Sequence, residues 1–277
     1  MATPVFPRTS SVAPPGLPQP EDGRAPPPDS VEARLAPRPV GAPPRPRPSL
    51  MRRIEILCVC PRHPGDIIER SDTVPALPVF EDAVSAIARG ALLPTDRGLV
   101  AIEDLWPGDK VKTATQGFRT LLWRGSTTIV AGVRGQAPEM GRLTRISADA
   151  LGIARPMHDL LLGPAARLVR RGAAIERITG HRAAAIPAHD LLDGLGVVEV
   201  TPPSGVQVFH LGFERQQRLV VNGVEMESYH PGPAQLAQLD GETRSLFLAC
   251  FPHLSRIEDF GPPALPRLRL SDLEMVA

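Results

Sequence analysis

The sequence predicts a mainly β fold with a short helical segment near the C-terminus, placed behind a proline-rich tail. Three observations carry this. From Gly98 to Val221, turn residues recur roughly every 8–12 positions, the spacing of short antiparallel strands. Between the turns, apolar residues alternate with polar ones, as a half-buried strand requires. Fifteen of the 33 prolines fall within residues 1–50, so the chain changes character near residue 50.

Residues 1–50 show almost no apolar periodicity. Proline fixes φ and removes a backbone donor, and so few apolar groups do not offset the entropy of ordering. A disordered tail of polyproline II character is therefore expected. Its Pro43-Pro44-Arg45-Pro46-Arg47-Pro48 stretch has the form of a segment that docks into an aromatic groove, although such tracts are common in linkers. Residues 51–79 are expected to hold a short strand at 54–60, then a loop over 61–78 marked by Pro61, Pro64, Gly65, Pro75 and Pro78. Residues 80–277 are expected to form the main domain. It opens at 80–88 with a short helix or the approach to a first strand.

Within that domain Gly98 closes a turn, and Val100 and Ile102 alternate with small or polar neighbours. Trp106-Pro107-Gly108-Asp109 is a turn in which proline presets φ and glycine supplies positive φ. Val111 and Thr113 continue a strand, Gln116-Gly117 turns, and Phe118, Leu121 and Trp123 are expected to carry the next strand. Further strands are expected at 143–147, 159–162, 168–171, 183–186, 197–200, 206–213 and 218–221. Residues 187–192 predict a short helix with Pro187 in its first turn. Residues 233–250, rich in Ala, Gln and Leu without β-branching, predict a helix. No fixed-period repeat is present.

The net charge of +1 gives no global bias toward nucleic acid or an anionic membrane, and neither partner is expected. Arginine outnumbers lysine 29 to 2, the lysines being Lys110 and Lys112. The run Arg167, Arg170, Arg171, Arg177, His181 and Arg182 reads as a solvated loop and strand face. Three cysteines, Cys58, Cys60 and Cys250, do not describe a disulfide framework. Cys58 and Cys60 alternate along a strand beside His63, but no second Cys/His pair follows at finger-like spacing. They are expected to be two buried small apolar side chains, and neither a metal nor a cofactor is expected. No apolar run approaches the roughly 18 residues of a membrane span. The N-terminus lacks the apolar region of a secretory signal. The cytoplasm is the default expectation, with export by a signal-less route left open.

Residues 86–109 read Ala-Ile-Ala-Arg-Gly-Ala-Leu-Leu-Pro-Thr-Asp-Arg-Gly-Leu-Val-Ala-Ile-Glu-Asp-Leu-Trp-Pro-Gly-Asp. This stretch resembles the opening of a Hint module, the self-processing domain of Hedgehog proteins and inteins. Gly90, Arg97, Gly98, Leu105, Pro107, Gly108 and Asp109 stand in the family register. Four later pieces follow in the order found in bacterial Hint proteins. They are Ala150-Leu151-Gly152 with 159–167, then 186–191, then 210–216, then 222–232. The resemblance covers roughly residues 80–235 and fades toward residue 277.

The resemblance implies a Hint-like β fold and an autocatalytic acyl shift. A thiol or hydroxyl attacks the carbonyl just before it, and a histidine protonates the departing amide nitrogen. The family nucleophile position carries Ala86, the family histidine position Ala166, and a further polar position Gln216. A serine position in the same segment carries Gly163. The two alanines can perform neither role, and members of such a set act as a unit. The resemblance also implies that positions 86 and 166 converge on one cleft. Ser85 is a possible displaced nucleophile, although a one-residue slip along a strand turns the side chain to the other face. His210 matches a position often retained in the family and also reads as a core histidine. His158-Asp159 point to opposite faces of a strand, His189 faces outward, and His230 belongs to a turn. Alanine-started inteins need an acceptor after a C-terminal Asn, and none is visible in Glu274-Met275-Val276-Ala277. The expectation is a non-cleaving scaffold or binding module with an unidentified protein partner, leaning away from an enzyme. The alternative is an active autoprocessing domain using Ser85. Oligomeric state is not legible.

Overall fold

Ile54, Ile56 and Cys58 recur at period two and bury on one face, so Met51–Val59 forms the first strand, β1. The computed structural model describes residues 50–275 except Pro64, within a unit that runs from Pro48 to Ala277. The expectations for residues 1–49 lie outside the described residues. Ile67–Pro75 (β2), expected as loop, is a nine-residue strand paired with β1 along its whole length. It is the outermost strand of its sheet, which explains why the pattern hides it. An edge strand has one hydrogen-bonded neighbour and tolerates Glu69, Ser71 and Asp72, while Ile68 and Val74 supply its apolar contacts.

Pro78–Val84 (α1) begins with proline and runs through Ser85 into Ile87–Ala88 (β3). Leu92–Thr95 (β4) and Gly98–Ala101 (β5) form a hairpin. Its turn is closed by Thr95 Oγ1, which accepts from Arg97 N–H at 3.1 Å and donates to the Gly98 carbonyl at 2.8 Å. The Trp106–Asp109 turn is observed, with φ of 104° at Gly108 and Trp106 N–H donating to Asp109 at 2.9 Å. Lys110–Thr113 (β6) and Gly117–Thr120 (β7) then pair. The single strand expected across Phe118 and Trp123 is two, because Trp123–Ile129 (β8) lies in the other sheet. The chain crosses between sheets at Leu121 and Leu122, whose N–H groups bond Asp109 and Gly212.

Leu143–Ile146 (β9), Leu160–Leu162 (β10), Arg167–Arg171 (β11), Ala183–Pro187 (β12), Val197–Val200 (β13), Val206–Gly212 (β14) and Arg218–Val221 (β15) lie where alternation places them. Ala173–Thr179 (α2) and Val224–Glu227 (β16) were not expected. Asn222 and Gly223, both at positive φ, make the two-residue turn that folds β16 back on β15. Pro187 ends β12 rather than starting a helix, and the helical turn is Ala188–Leu191. The C-terminal helix is two helices, Pro233–Ala237 (α3) and Gly241–Ala249 (α4). Asp240 divides them by accepting the Thr243 N–H at 2.7 Å as an N-cap. A short last helix, Leu270–Glu274 (α5), ends the described chain.

The strands form two antiparallel sheets, ordered β13-β9-β10-β3-β14-β8-β1-β2 and β12-β11-β16-β15-β6-β4-β5, with β7 beside β6. Their main core joins Ile87, Leu93, Leu162, Phe209, Leu219 and Met226. A second core joins β1, α1 and α4 around Trp123, whose indole N–H donates to the Cys250 carbonyl at 2.8 Å. Phe80, Phe247, Phe251 and Tyr229 surround it. The buried Arg52–Glu81 ion pair, at 2.6 Å, ties β1 to α1. Among the described residues no helix is long and apolar enough to cross a membrane.

Candidate functional site

The site begins where α1 ends. Ser85 leaves the helix with φ −124° and ψ 42°, and Ala86 leads into β3 at Ile87. Every backbone group of the Ser85–Ala86 peptide is matched. The Ser85 carbonyl accepts from Ala165 N–H at 3.1 Å, and Ala86 N–H donates to the Phe209 carbonyl at 3.1 Å. The Ala86 carbonyl accepts from Gly163 N–H at 2.8 Å. Ala166 N–H bonds the Gly163 carbonyl at 3.1 Å, so residues 163–166 form a tight turn against the peptide. Positions 86 and 166 therefore meet in one place, as the resemblance implies. Both are buried in the same hydrophobic core.

Gly163 makes the closest approach. A Cβ at this position would lie 2.2 Å from the Ser85 carbonyl oxygen and 2.8 Å from its carbon. Only glycine lets the turn sit this near the peptide. Ala86, Ala165, Ala166 and Ala188 contribute methyl groups to the same core. Ser85 is fully buried, and its hydroxyl has no hydrogen-bond partner among the described residues. A hydroxyl without a base in contact is a weak nucleophile at neutral pH.

The remaining positions lie nearby in structural roles. The Gln216 amide nitrogen donates to Glu227 and to the Ser228 carbonyl, each at 3.0 Å. Its oxygen accepts from Ala264 N–H at 2.7 Å. Glu227 is also held by Arg267 at 2.9 Å, which donates further to the His230 carbonyl at 2.6 Å. His210 is buried, consistent with the core reading. Its Nδ1 lies 3.0 Å from the Asp82 carbonyl, so Nδ1 carries the proton and donates. Burial pushes the His210 imidazole down to about 3, so it stays neutral. It stands edge-on to Tyr229 at 5.1 Å, and the buried Tyr229 hydroxyl has no partner among the described residues. Burial also raises Asp82, against a hydrogen bond from Gln235. Asp82, Pro164, Arg167 and His189 line an adjoining groove of about 490 Å³, which neither Ser85 nor Ala86 reaches.

Other expected residues fall elsewhere. Asp159 pairs with Arg145, not His158. His189 is half-buried against Asp190 rather than facing outward. His230 accepts Gly232 N–H at Nδ1 and donates from Nε2 to Gly261, so its turn also anchors the C-terminal segment. The basic run divides. Arg167 is partly buried 3.7 Å from Glu227, while Arg171 is exposed and paired with Glu225. Cys58 is buried, but Cys60 lies beyond the end of β1 and is only half-buried. The histidine beside Cys58 is His253, at 3.5 Å, not His63. No cluster of three metal-ligating side chains occurs among the described residues.

The Hint domain family model matches residues 85–233. The chain belongs to the Hint domain family. Two solved structures show low similarity to this chain. The first is a bacterial intein-like domain from Clostridium thermocellum, 15% identical with a TM-score of 0.35, matched over 53% of this chain and 99% of that one. The second is a splice-inactive variant of the AceL NrdHF class 3 split intein, 9% identical with a TM-score of 0.35, matched over 52% and 97%. No curated protein matches. The Hint match spans both Ala86 and Ala166 and includes Gln216. The match leaves β1, β2, α1 and, apart from Pro233, the helices from α3 onward outside it. Sequence reasoning missed Asp82, Tyr229, Glu227 and Arg267. The last two are 40 residues apart, and no local pattern joins them.

Proposed function

We propose that this Hint domain no longer cleaves and serves as a scaffold or binding module. The observation that carries the reading is the packing of the Ser85–Ala86 peptide. Its carbonyl and N–H are hydrogen-bonded, Gly163 seats against it, and alanine methyl groups occupy the nucleophile and histidine positions. An acyl shift needs an attacking atom, a proton donor for the amide nitrogen and a peptide held away from its relaxed state. Ala86 and Ala166 provide neither of the first two. Intact-mass measurement of the freshly purified chain, with and without hydroxylamine or thiol, tests this. One species of full mass under all three conditions is expected. Fragments that break at or beside Ser85 would overturn the reading.

One observation favours the alternative of a displaced nucleophile: the Ser85 hydroxyl is buried, unpartnered and next to the family position. It would attack the Val84 carbonyl, form an ester and release the Ser85 amine. A buried hydroxyl kept for chemistry and one left without a role respond differently to removal. In the scaffold reading Ser85→Ala relieves an unmatched polar group and leaves the fold as stable or about 1 kcal/mol more stable, measured by urea unfolding. In the alternative it also abolishes a hydroxylamine-sensitive species that the wild-type chain shows.

A further inference from the structure

The net charge of +1 conceals a segregated surface. Two grooves of about 770 and 380 Å³ adjoin each other and share Gln116 and Gln217. Lys110, Arg119 and Arg215 line the first, and His181, Arg182 and Arg218 the second. Glu214 is the single carboxylate lining either one. Lys110 and Arg119 bond Thr120 and Gln116 rather than an acid. Asp109, Glu103 and Glu225 are engaged with Arg97, Arg89 and Arg171, none of which lines the trough. Phe118, 47% exposed, sits in the same trough on the β6–β7 hairpin. Between the grooves, Gln217 is 4% exposed, and its side-chain oxygen has no donor among the described residues. Its nitrogen already donates to the Arg215 carbonyl at 3.0 Å.

We propose that this trough binds single-stranded nucleic acid. The parts match two features of such a ligand. Lys110, Arg119, Arg215 and Arg218 lie along a concave path without a carboxylate partner among the described residues and can track phosphates, whereas Arg182 stands 4.0 Å from Glu176. An exposed ring provides a stacking surface for a base, which a free phosphate or simple polyanion does not use. A lipid surface fits less well, because these cations line a hollow and Phe118 is the one large apolar side chain in the lining that is well exposed. The proposal is independent of whether the Ser85–Ala86 bond is cleaved.

The test uses the full chain and a labelled oligothymidine of about 20 nucleotides, read by fluorescence anisotropy. Four phosphate contacts, from Lys110, Arg119, Arg215 and Arg218, imply about a 50-fold loss of affinity between about 50 and about 200 mM salt. Lys110→Ala with Arg119→Ala should roughly halve the slope of that salt dependence. Phe118→Ala should weaken binding by about five-fold or more at every salt while leaving the slope unchanged. All three side chains are exposed, so circular dichroism should show an unaltered fold. No binding at the lower salt overturns the proposal. So does binding unchanged by the Lys110/Arg119 pair, which would assign it to the N-terminal arginines. Indifference to Phe118→Ala together with equal capture by heparin or anionic vesicles also overturns it, by showing general polyanion attraction.

Discussion

Gly163→Ala is expected to destabilise the fold by about 3 kcal/mol and lower the melting temperature by about 6–12 °C. The added methyl would meet the Ser85 carbonyl oxygen at 2.2 Å. That atom cannot swing aside like the end of a flexible side chain. It is backbone, held by Ala165 N–H, and the neighbouring Ala86 is bonded on both sides to Phe209 and Gly163. Relief therefore requires either the 163–166 turn or the start of β3 to move, and both lie in the main core. Gly241→Ala is the matched control. A Cβ there meets nothing within 4 Å, and the residue opens an exposed helix, so it should change stability by no more than about 0.5 kcal/mol. Urea unfolding of the two variants measures the contrast. If Gly163→Ala is as mild as the control, the turn is not seated on the peptide and the closed-site reading fails. The same contact bears on chemistry. The family serine position lies here, and any side chain at it would displace the carbonyl that precedes the nucleophile position.

Much of this arrangement was legible from residues, and what was not has identifiable physical causes. β15 was visible because Arg218 to Val221 alternate over one buried face, and β13 and β14 because Val197, Val198, Val200, Val206 and Val208 supply β-branched runs. The convergence of Ala86 and Ala166 followed from the family register rather than from periodicity. β2 was hidden because an edge strand carries polar residues that read as loop. The break between β7 and β8 was hidden because alternation continues through Leu121 while the chain changes sheets. The Gln216–Glu227–Arg267 cluster depends on the C-terminal segment returning beside β12, where Arg267 bridges Ala185. Charge summed over the chain likewise erased the trough, because carboxylates outside its lining cancel its cations in the total.

Stability is expected to fall by several kcal/mol between pH 7.5 and pH 4.5, before most carboxylates titrate. The cause is the buried histidines. Burial holds His210 at about 3 and His253 at about 4, against about 6.5 in an unfolded chain. His230 and His189 are lowered in the same direction, chiefly by burial. For a depressed histidine the unfolded state binds the proton first. Its contribution is therefore intact above about pH 6.5 and is lost as the pH falls toward the folded value. At pH 4.5 the two strongest cases amount to about 2–3 kcal/mol each. Asp82 works against them, since its raised value favours the folded state as acid is added. Asp159, Asp193, Asp240 and Asp259 are held low, chiefly by backbone hydrogen bonds, and their contribution is lost only at more acidic pH. Urea unfolding at pH 7.5, 6 and 4.5 measures the slope. His210→Gln keeps an N–H for the Asp82 carbonyl while removing the titrating group, so it should flatten the slope by close to half. A wild-type slope near zero across this window would show that His210 and His253 titrate normally. A neutral His210 also has a consequence for the site. Its one proton is donated to Asp82, so it has no imidazolium to offer the Ser85–Ala86 amide near neutrality. Any cleavage governed by a group titrating near pH 7 would have to draw on a different side chain.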